Sequence, residues 1–520
     1  MQPKQIGKLK GLSMLKRSLI CMVILLMMAP MLSFAQDPTG AATGTIKDLG
    51  IDTIAATKDT ALNKVVAAVN TIGNADGHNK IAINIVWTLL AGFLVMFMQA
   101  GFAMVETGFT QKKNVAHTMA MNFMVYGIGM LGFWICGFAF MFGGGLNVAS
   151  LGGAPGVISD EFKVSLFGHD FGLWGKAGYF LNSKVYDVGV YTLFLFQMVF
   201  MDTTATIPTG SMAERWKFKS FVIYGFFISM FVYPLFGNWV WGGGWLSQLG
   251  VNFGLGHGHV DFAGSSVVHM VGGVAALAGA IVIGPRLGKY GKDGTVNTIP
   301  GHNIPMAIIG TFILAFGWFG FNPGSTLAGS DLRISVVATN TMLASASGAF
   351  FAYLYMVLRG NKPDPGMLAN GMLAGLVAIT APCAFVTSLS AVIIGAISGI
   401  LVILVYNFVD RKLKIDDPVG AFAVHGANGC WGVLSLGLFA DGSYGDGWNG
   451  VAGPVKGLFY GDGKQFIAEL IGALTCFIFV FVVMYFFFKL CAKTVGLRSA
   501  PEEELAGLDI PEMGVHGYVD

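Results

Sequence analysis

Two stretches carry one pattern: Asp261-Phe-Ala-Gly-Ser-Ser-Val-Val-His269-Met-Val-Gly-Gly273 and Asp417-Pro-Val-Gly-Ala-Phe-Ala-Val-His425-Gly-Ala-Asn-Gly429. Each reads Asp, Gly three later, Val-His, then Gly four beyond the His. Each opens a long apolar segment. A carboxylate and an imidazole on a membrane-type helix are expensive, so the default reading is functional. The repetition points to an internal duplication.

The surrounding composition sets the class. The chain has 520 residues, 54% hydrophobic and 12% charged. About a quarter of an ordinary soluble domain is charged. The 74 glycines suit close helix packing in lipid. The expected class is an all-α polytopic membrane protein. A net charge of +2 gives no basis for a nucleic-acid partner, and the six cysteines show no paired spacing for a disulfide or metal framework.

Lys4, Lys8, Lys10, Lys16 and Arg17 precede an apolar run from Leu19 to Leu32, followed by Ser33-Phe34-Ala35. That is the three-part form of a signal peptide, expected over residues 1–35. Residues 36–80, polar and rich in Ala, Thr and Asp, read as a loosely ordered extracytoplasmic lead-in. A membrane domain is expected over 81–490 and a cytoplasmic tail over 491–520.

A span needs about 20 mostly apolar residues. Eleven segments qualify: roughly Ile81–Gly108, Val115–Phe142, Val188–Met212, Ser220–Asn238, Phe262–Gly284, Ile304–Asn322, Leu332–Leu358, Met367–Val386, Leu389–Val409, Pro418–Ala440 and Phe466–Leu490. Sixteen Lys and Arg residues follow odd-numbered spans, from Lys112 to Arg498, against six after even-numbered ones. That excess marks the cytoplasmic side, so the N-terminus is expected outside and the C-terminus inside. The two motif copies then run in opposite directions. This is the signature of an inverted five-helix repeat, with the eleventh helix outside it and a site near the midplane. Each His is eight residues inside its Asp. At 1.5 Å per residue that is about 12 Å into a core about 30 Å thick.

Four readings of the histidine pair stay open on these residues. They are hydrogen-bonded packing, a metal site, a pore lining for a small polar molecule or proton, and an enzymatic base. No further ligand at helical spacing accompanies either His, which weakens the metal. No nucleophile or cofactor motif supports an enzyme. A neutral imidazole offers one donor and one acceptor, which suits a pore. Asp261 and Asp417 each lie where a carboxylate caps a helix N-terminus; for Asp417 a structural cap is the plain reading.

These residues resemble the ammonium transporter (Amt/Mep/Rh) family, bacterial Amt type. Asp261 through Gly273, running on to Gly284-Pro-Arg286, is similar to its signature, and Phe422-Ala-Val-His-Gly426 to its second histidine motif. Trp318-Phe-Gly-Phe-Asn-Pro-Gly-Ser325, Phe196-Gln-Met-Val-Phe200, Met212-Ala-Glu-Arg215, Trp241-Gly-Gly-Gly244 and the tail from Val495 to Asp509 also match in order. The resemblance implies roles position by position. Trp241, Phe200 and Ser325 match the outer ammonium site, with Asp261 behind it. Phe200 and Phe321 match a two-ring gate, and His269 and His425 the twin histidines of the lumen. It also implies ammonium or ammonia transport across the inner (plasma) membrane without a cofactor, a homotrimer, and a PII-type regulatory partner at the tail. The alternative is an ammonium sensor that conducts little.

Some residues fall outside that pattern. Asp202, two beyond Phe200, is expected either to face a polar vestibule or to pair with Thr203 or Thr204. The 143–187 loop is read as an outer cap or a solvated loop, and His257 and His259 as solvent-exposed. Glu106, near the inner end of the first span, is expected to pair locally or cap.

Overall fold

The structure, a computed structural model, describes residues 45–55, 59–145, 148–444 and 447–518. The expected signal peptide and the start of the lead-in lie outside the described residues.

Among the described residues, nine helices are long and apolar enough to cross a membrane. They are α1 Thr60–Phe109, α2 Lys112–Phe142, α3 Val188–Ser211, α4 Phe218–Val240, α5 Ser265–Ile283, α6 Ile304–Thr326, α7 Ile334–Leu358, α9 Ser388–Lys412 and α11 Gly463–Thr494. The eighth and tenth expected spans form shorter helices. These are α8, Pro365–Ile379, and α10, which joins Phe422–Ala427 to Asn428–Phe439. The sequence reading ran α8 through Pro382 to Val386, but the helix stops at Ile379 and the chain turns.

The lead-in is more ordered than its polarity suggests. Residues 60–80 continue α1, giving a 50-residue helix. At 1.5 Å per residue it is about 75 Å long, more than twice the hydrocarbon thickness. Asp59 caps it by accepting from the Ala61 and Leu62 N–H groups. Asn74 of α1 accepts the Ile46 N–H, and Lys80 donates to the Asp48 carbonyl, so residues 45–49 fold back onto it. Polarity hid this helix because Ala, Leu, Lys and Asn between residues 60 and 80 form helix without forming a span.

Glycine sets how closely the helices approach. A Cβ on Gly101 of α1 would stand 2.9 Å from the Gly310 carbonyl oxygen of α6, and one on Gly310 would stand 2.7 Å from that of Gly101. Such small-residue contacts let two backbones touch in lipid, where burial of apolar surface offers no drive.

The 143–187 loop holds an antiparallel hairpin, β1 (Glu161–Leu166) and β2 (His169–Gly175). It is a cap: Trp239 Nε1 and the Trp245 N–H donate to the carbonyls of Leu173 and Gly172.

At the opposite end the tail stitches together the loops that follow α1, α3 and α5. Lys113 donates to the Glu504 and Leu505 carbonyls, Ser499 N–H to the Arg215 carbonyl, and Leu287 N–H to Glu504 Oε1. Beneath it, Arg286 makes a two-pronged pair with Asp416 at 2.8 and 3.0 Å and reaches Glu214 at 2.8 Å. Burial alone would push the Asp416 carboxyl up. The Arg215 charge and the Arg286 hydrogen bonds outweigh it and hold Asp416 well below the usual carboxylate range. Lys113, Arg215 and Arg286, from three of the basic stretches picked out by charge, thus meet on one face, with the tail.

Candidate functional site

The two motif copies face each other, and the structure explains their shared spacing. Gly264 and Gly420, each three residues past its Asp, have φ of +117° and +77°, where a side chain would be strained. That turn brings each Gly N–H onto its Asp carboxylate, at 2.8 Å for Asp261 and 3.0 Å for Asp417. The glycine four past each His faces the opposite copy. A Cβ on Gly273 would strike the backbone at Gly426, and one on Gly429 would strike the Ser265 carbonyl. Both histidines sit in a widened π-helical turn, Ser265–Met270 and Phe422–Ala427. Such turns recur at functional sites.

This frame brings the imidazoles together. His269 Nδ1 and His425 Nδ1 are 3.2 Å apart. One must donate and the other accept, so the pair turns one Nε2–H and one bare Nε2 to its surroundings. His269 is fully buried, with Trp318 and Phe321 ring centroids each 5.3 Å from its own. Trp318 is held in turn by Thr380, to which its Nε1 donates.

A line of rings leads outward. Phe321 stacks on Phe200 at 4.1 Å, and Phe200 meets Trp241 edge-on at 6.2 Å. Trp241 borders a cavity of about 220 Å³ with Phe196, Gln197, Ser325, Trp448 and Asn449. Phe196 stands 4.6 Å from Phe200. On the other side, His425 borders a second cavity of about 20 Å³ with Phe102, Glu106, Asn370 and Val424. That space is close to what one water needs. Neither Phe200 nor Phe321 lines either cavity. Their stack stands between the two.

Asp261 belongs to the frame of the outer cavity. Its carboxylate accepts the N–H groups of Gly264, Ser265, Ser266 and Val267 and the Ser266 hydroxyl, and it is 1% exposed. Its backbone carbonyl accepts Trp241 Nε1 at 2.6 Å, which fixes the indole. The Ser325 hydroxyl donates to the Phe321 carbonyl, which leaves its lone pairs free toward the cavity. Asp417 accepts from Gly420 and Phe422 N–H.

Several expectations are corrected. Asp202 is buried and borders neither cavity. Its Oδ1 lies toward Gly129 of α2, and the Thr203 and Thr204 hydroxyls donate to the Val199 and Phe200 carbonyls instead. His257 and His259 are buried, not exposed. His259 joins Glu469 of α11 at 2.7 Å and Ser266 at 2.9 Å. Burial would push the His259 imidazole down, but the Glu469 charge and hydrogen bond outweigh it and raise it. Glu106 accepts from local side chains but also borders the inner cavity. The sequence reading gave no role to Trp318, Asn370, Trp448 or Asn449; Trp448 and Asn449 come from a loop with no motif of its own.

Fold and site define a multi-span helical membrane protein in which stacked rings and an imidazole pair lie between two cavities. The chain belongs to the ammonium transporter family, whose model matches residues 86–518. It is 47% identical over 442 residues to Ammonium transporter Amt2 of Archaeoglobus fulgidus, covering 84% of this chain and 89% of that protein. It is 36% identical over 451 residues to Ammonium transporter Amt1 of Haloferax mediterranei, covering 84% and 79%. Among solved structures, one named Sensor Amt Protein aligns with a TM-score of 0.72 at 38% identity, over 84% of this chain and 99% of that one. Candida albicans Mep2 aligns with a TM-score of 0.67 at 26% identity, over 81% and 87%.

Proposed function

We propose that this protein carries ammonium nitrogen across the membrane as ammonia, after recognising the cation in the outer cavity. The observation that carries this reading is the ring-lined track from Trp241 to the imidazole pair, with a cavity at each end. In the outer cavity the Trp241 and Phe200 faces attract a cation and the Ser325 oxygen accepts one of its hydrogens. Cation–π contacts supply about 2 kcal/mol when desolvated. Moving a small ion into a medium of low dielectric costs on the order of 20 kcal/mol by an idealised estimate. The difference decides the species: the ion gives its proton to water of the outer cavity, above the Phe200–Phe321 gate, and neutral ammonia passes. His269 and His425 then offer it one donor and one acceptor along an otherwise apolar path. Asp261 acts indirectly, by fixing Trp241 and the start of α5.

The basic loops and tail are assigned to the cytoplasm and the hairpin cap to the outside, in an inner (plasma) membrane. A homotrimer with one track per subunit, and a PII-type protein docking at the tail, complete the reading; both rest on the family resemblance.

A second reading has one observation in its favour, the likeness to a structure named Sensor Amt Protein. In it the outer cavity binds ammonium and little passes. Growth of a strain lacking its own ammonium uptake separates the two. Rescue at low ammonium by the wild type, lost with His269→Ala and reduced with Trp241→Leu, is expected. A well-expressed wild type that gives no rescue contradicts transport and leaves the sensor reading.

A further inference from the structure

Among the described residues, Glu106 is the carboxylate that borders the inner cavity. It lies on α1, 2% exposed, and shares the inner cavity with His425, Phe102, Ile207, Asn370 and Val419. Its Oε2 accepts from Asn122 Nδ2 and from Thr209 Oγ1, both at 2.7 Å. Asn122 is itself held, donating to the Thr118 carbonyl and receiving Gln99 on its own carbonyl. On the other side, a Cβ at Gly210 would stand 2.5 Å from Val419 and 3.0 Å from Glu106 Oε1, so glycine gives the carboxyl room there. The carboxyl is thus held between α1, α2 and α3 at the edge of a space for one small molecule.

The electrostatics give that carboxyl no structural excuse. Its partners are neutral, and no lysine or arginine pairs with it among the described residues. The titratable groups that face it are Asp417 on the turn before α10, Tyr224 on α4 and His425 on α10. None supplies a fixed positive charge. A buried carboxylate without a counter-charge is costly, even one that also accepts the Gly210 N–H.

We infer that Glu106 is an inner proton-exchange and ammonium-release site, the counterpart of the aromatic site outside; this rests on the transport reading above. Ammonia leaving His425 meets the protonated carboxyl. An N–H bond forms as the O–H bond breaks, giving an ammonium ion beside a carboxylate. The pair separates as the ion moves to the cytoplasm, and the carboxylate takes up a proton from cytoplasmic water. The outer site therefore recognises the cation by π faces, and the inner one releases it from a carboxylate that can be recharged.

The test uses the purified full-length protein in liposomes with a trapped pH indicator, challenged with ammonium chloride. Glu106→Gln keeps the shape and one acceptor but exchanges no proton. It is expected to slow flux by about a hundredfold or more, the usual contribution of a positioned general acid. It should also lose the dependence of rate on the pH of the tail side. Glu106→Asp should retain that dependence. A Glu106→Gln protein with wild-type flux and pH profile overturns this inference alone. A wild type without flux overturns the transport reading and this inference with it. Should Glu106→Gln fail to fold, Thr209→Val removes one donor from the carboxyl and must displace the pH profile; an unchanged profile overturns the inference.

Discussion

The two histidine motifs share a backbone and differ in everything around it. In both, an Asp caps the helix, a left-handed glycine closes the turn, and a second glycine admits the opposite copy. Yet Asp261 holds five donors and Asp417 two of its neighbours' N–H groups. His269 is sealed between Trp318 and Phe321, whereas His425 opens on a cavity beside Glu106. Asp261 is backed by the His259–Glu469 pair through Ser266, and Asp417 by Asp416 and its arginines. A duplicated frame places two imidazoles at one depth. On the proposed function, the unequal surroundings suit one side to recognition and the other to exit.

The capping difference can be broken directly. Losing a buried hydrogen bond costs roughly 1 kcal/mol, so Asp261→Ala should destabilise by about 5 kcal/mol and Asp417→Ala by about 2. Thermal unfolding in detergent ranks them, and equal losses would refute the asymmetry.

The backing of Asp417 by Asp416 and Arg286 is next in size. Breaking the buried pair by Asp416→Asn should cost about 3–5 kcal/mol. Its pH dependence has a fixed sign. The folded value is depressed, so the stabilisation is present above the ordinary carboxylate value near 4 and is lost as pH falls below it. Melting temperature should fall with acid in the wild type, and this part of the fall should vanish in Asp416→Asn.

The shared frame predicts equality instead. Gly273→Ala and Gly429→Ala each press a methyl onto the other copy's backbone, at about 1–3 kcal/mol each. A large cost at one and none at the other would mean that the two halves do not meet as described.

The smallest effect is at the outer site. Trp241→Leu removes a cation–π face worth about 0.5–2 kcal/mol, so the KM for ammonium should rise by about two- to thirtyfold. A fall in maximal rate at unchanged KM would place Trp241 in the gate rather than in recognition.

Much of this was legible in the chain. Composition and apolar segments indicated the helical membrane fold, and the repeated spacing with the charge alternation put the two histidines near one depth; the family resemblance paired them. The family resemblance supplied Phe200, Phe321, Trp241 and Ser325. What stayed hidden has physical causes. The helix at residues 60–80 was masked by its polarity, and the short α8 and α10 by apolar residues that continue past the helix ends. His259 looked exposed because its partner, Glu469, is 210 residues away and on another helix. Glu106 looked like a local cap because its cavity is built from five separate segments. Asp202 sat near the gate in sequence, but the helical turn aims it at α2.

The central claim is that nitrogen crosses between the two imidazoles as ammonia. Ammonium-driven flux into liposomes, measured for the wild type and for His269→Ala at matched reconstitution, tests it most directly. The account predicts a saturable wild-type flux and, in the variant, its loss or its replacement by a current carried by the unselected ion. Unchanged flux and selectivity in folded His269→Ala protein would contradict it.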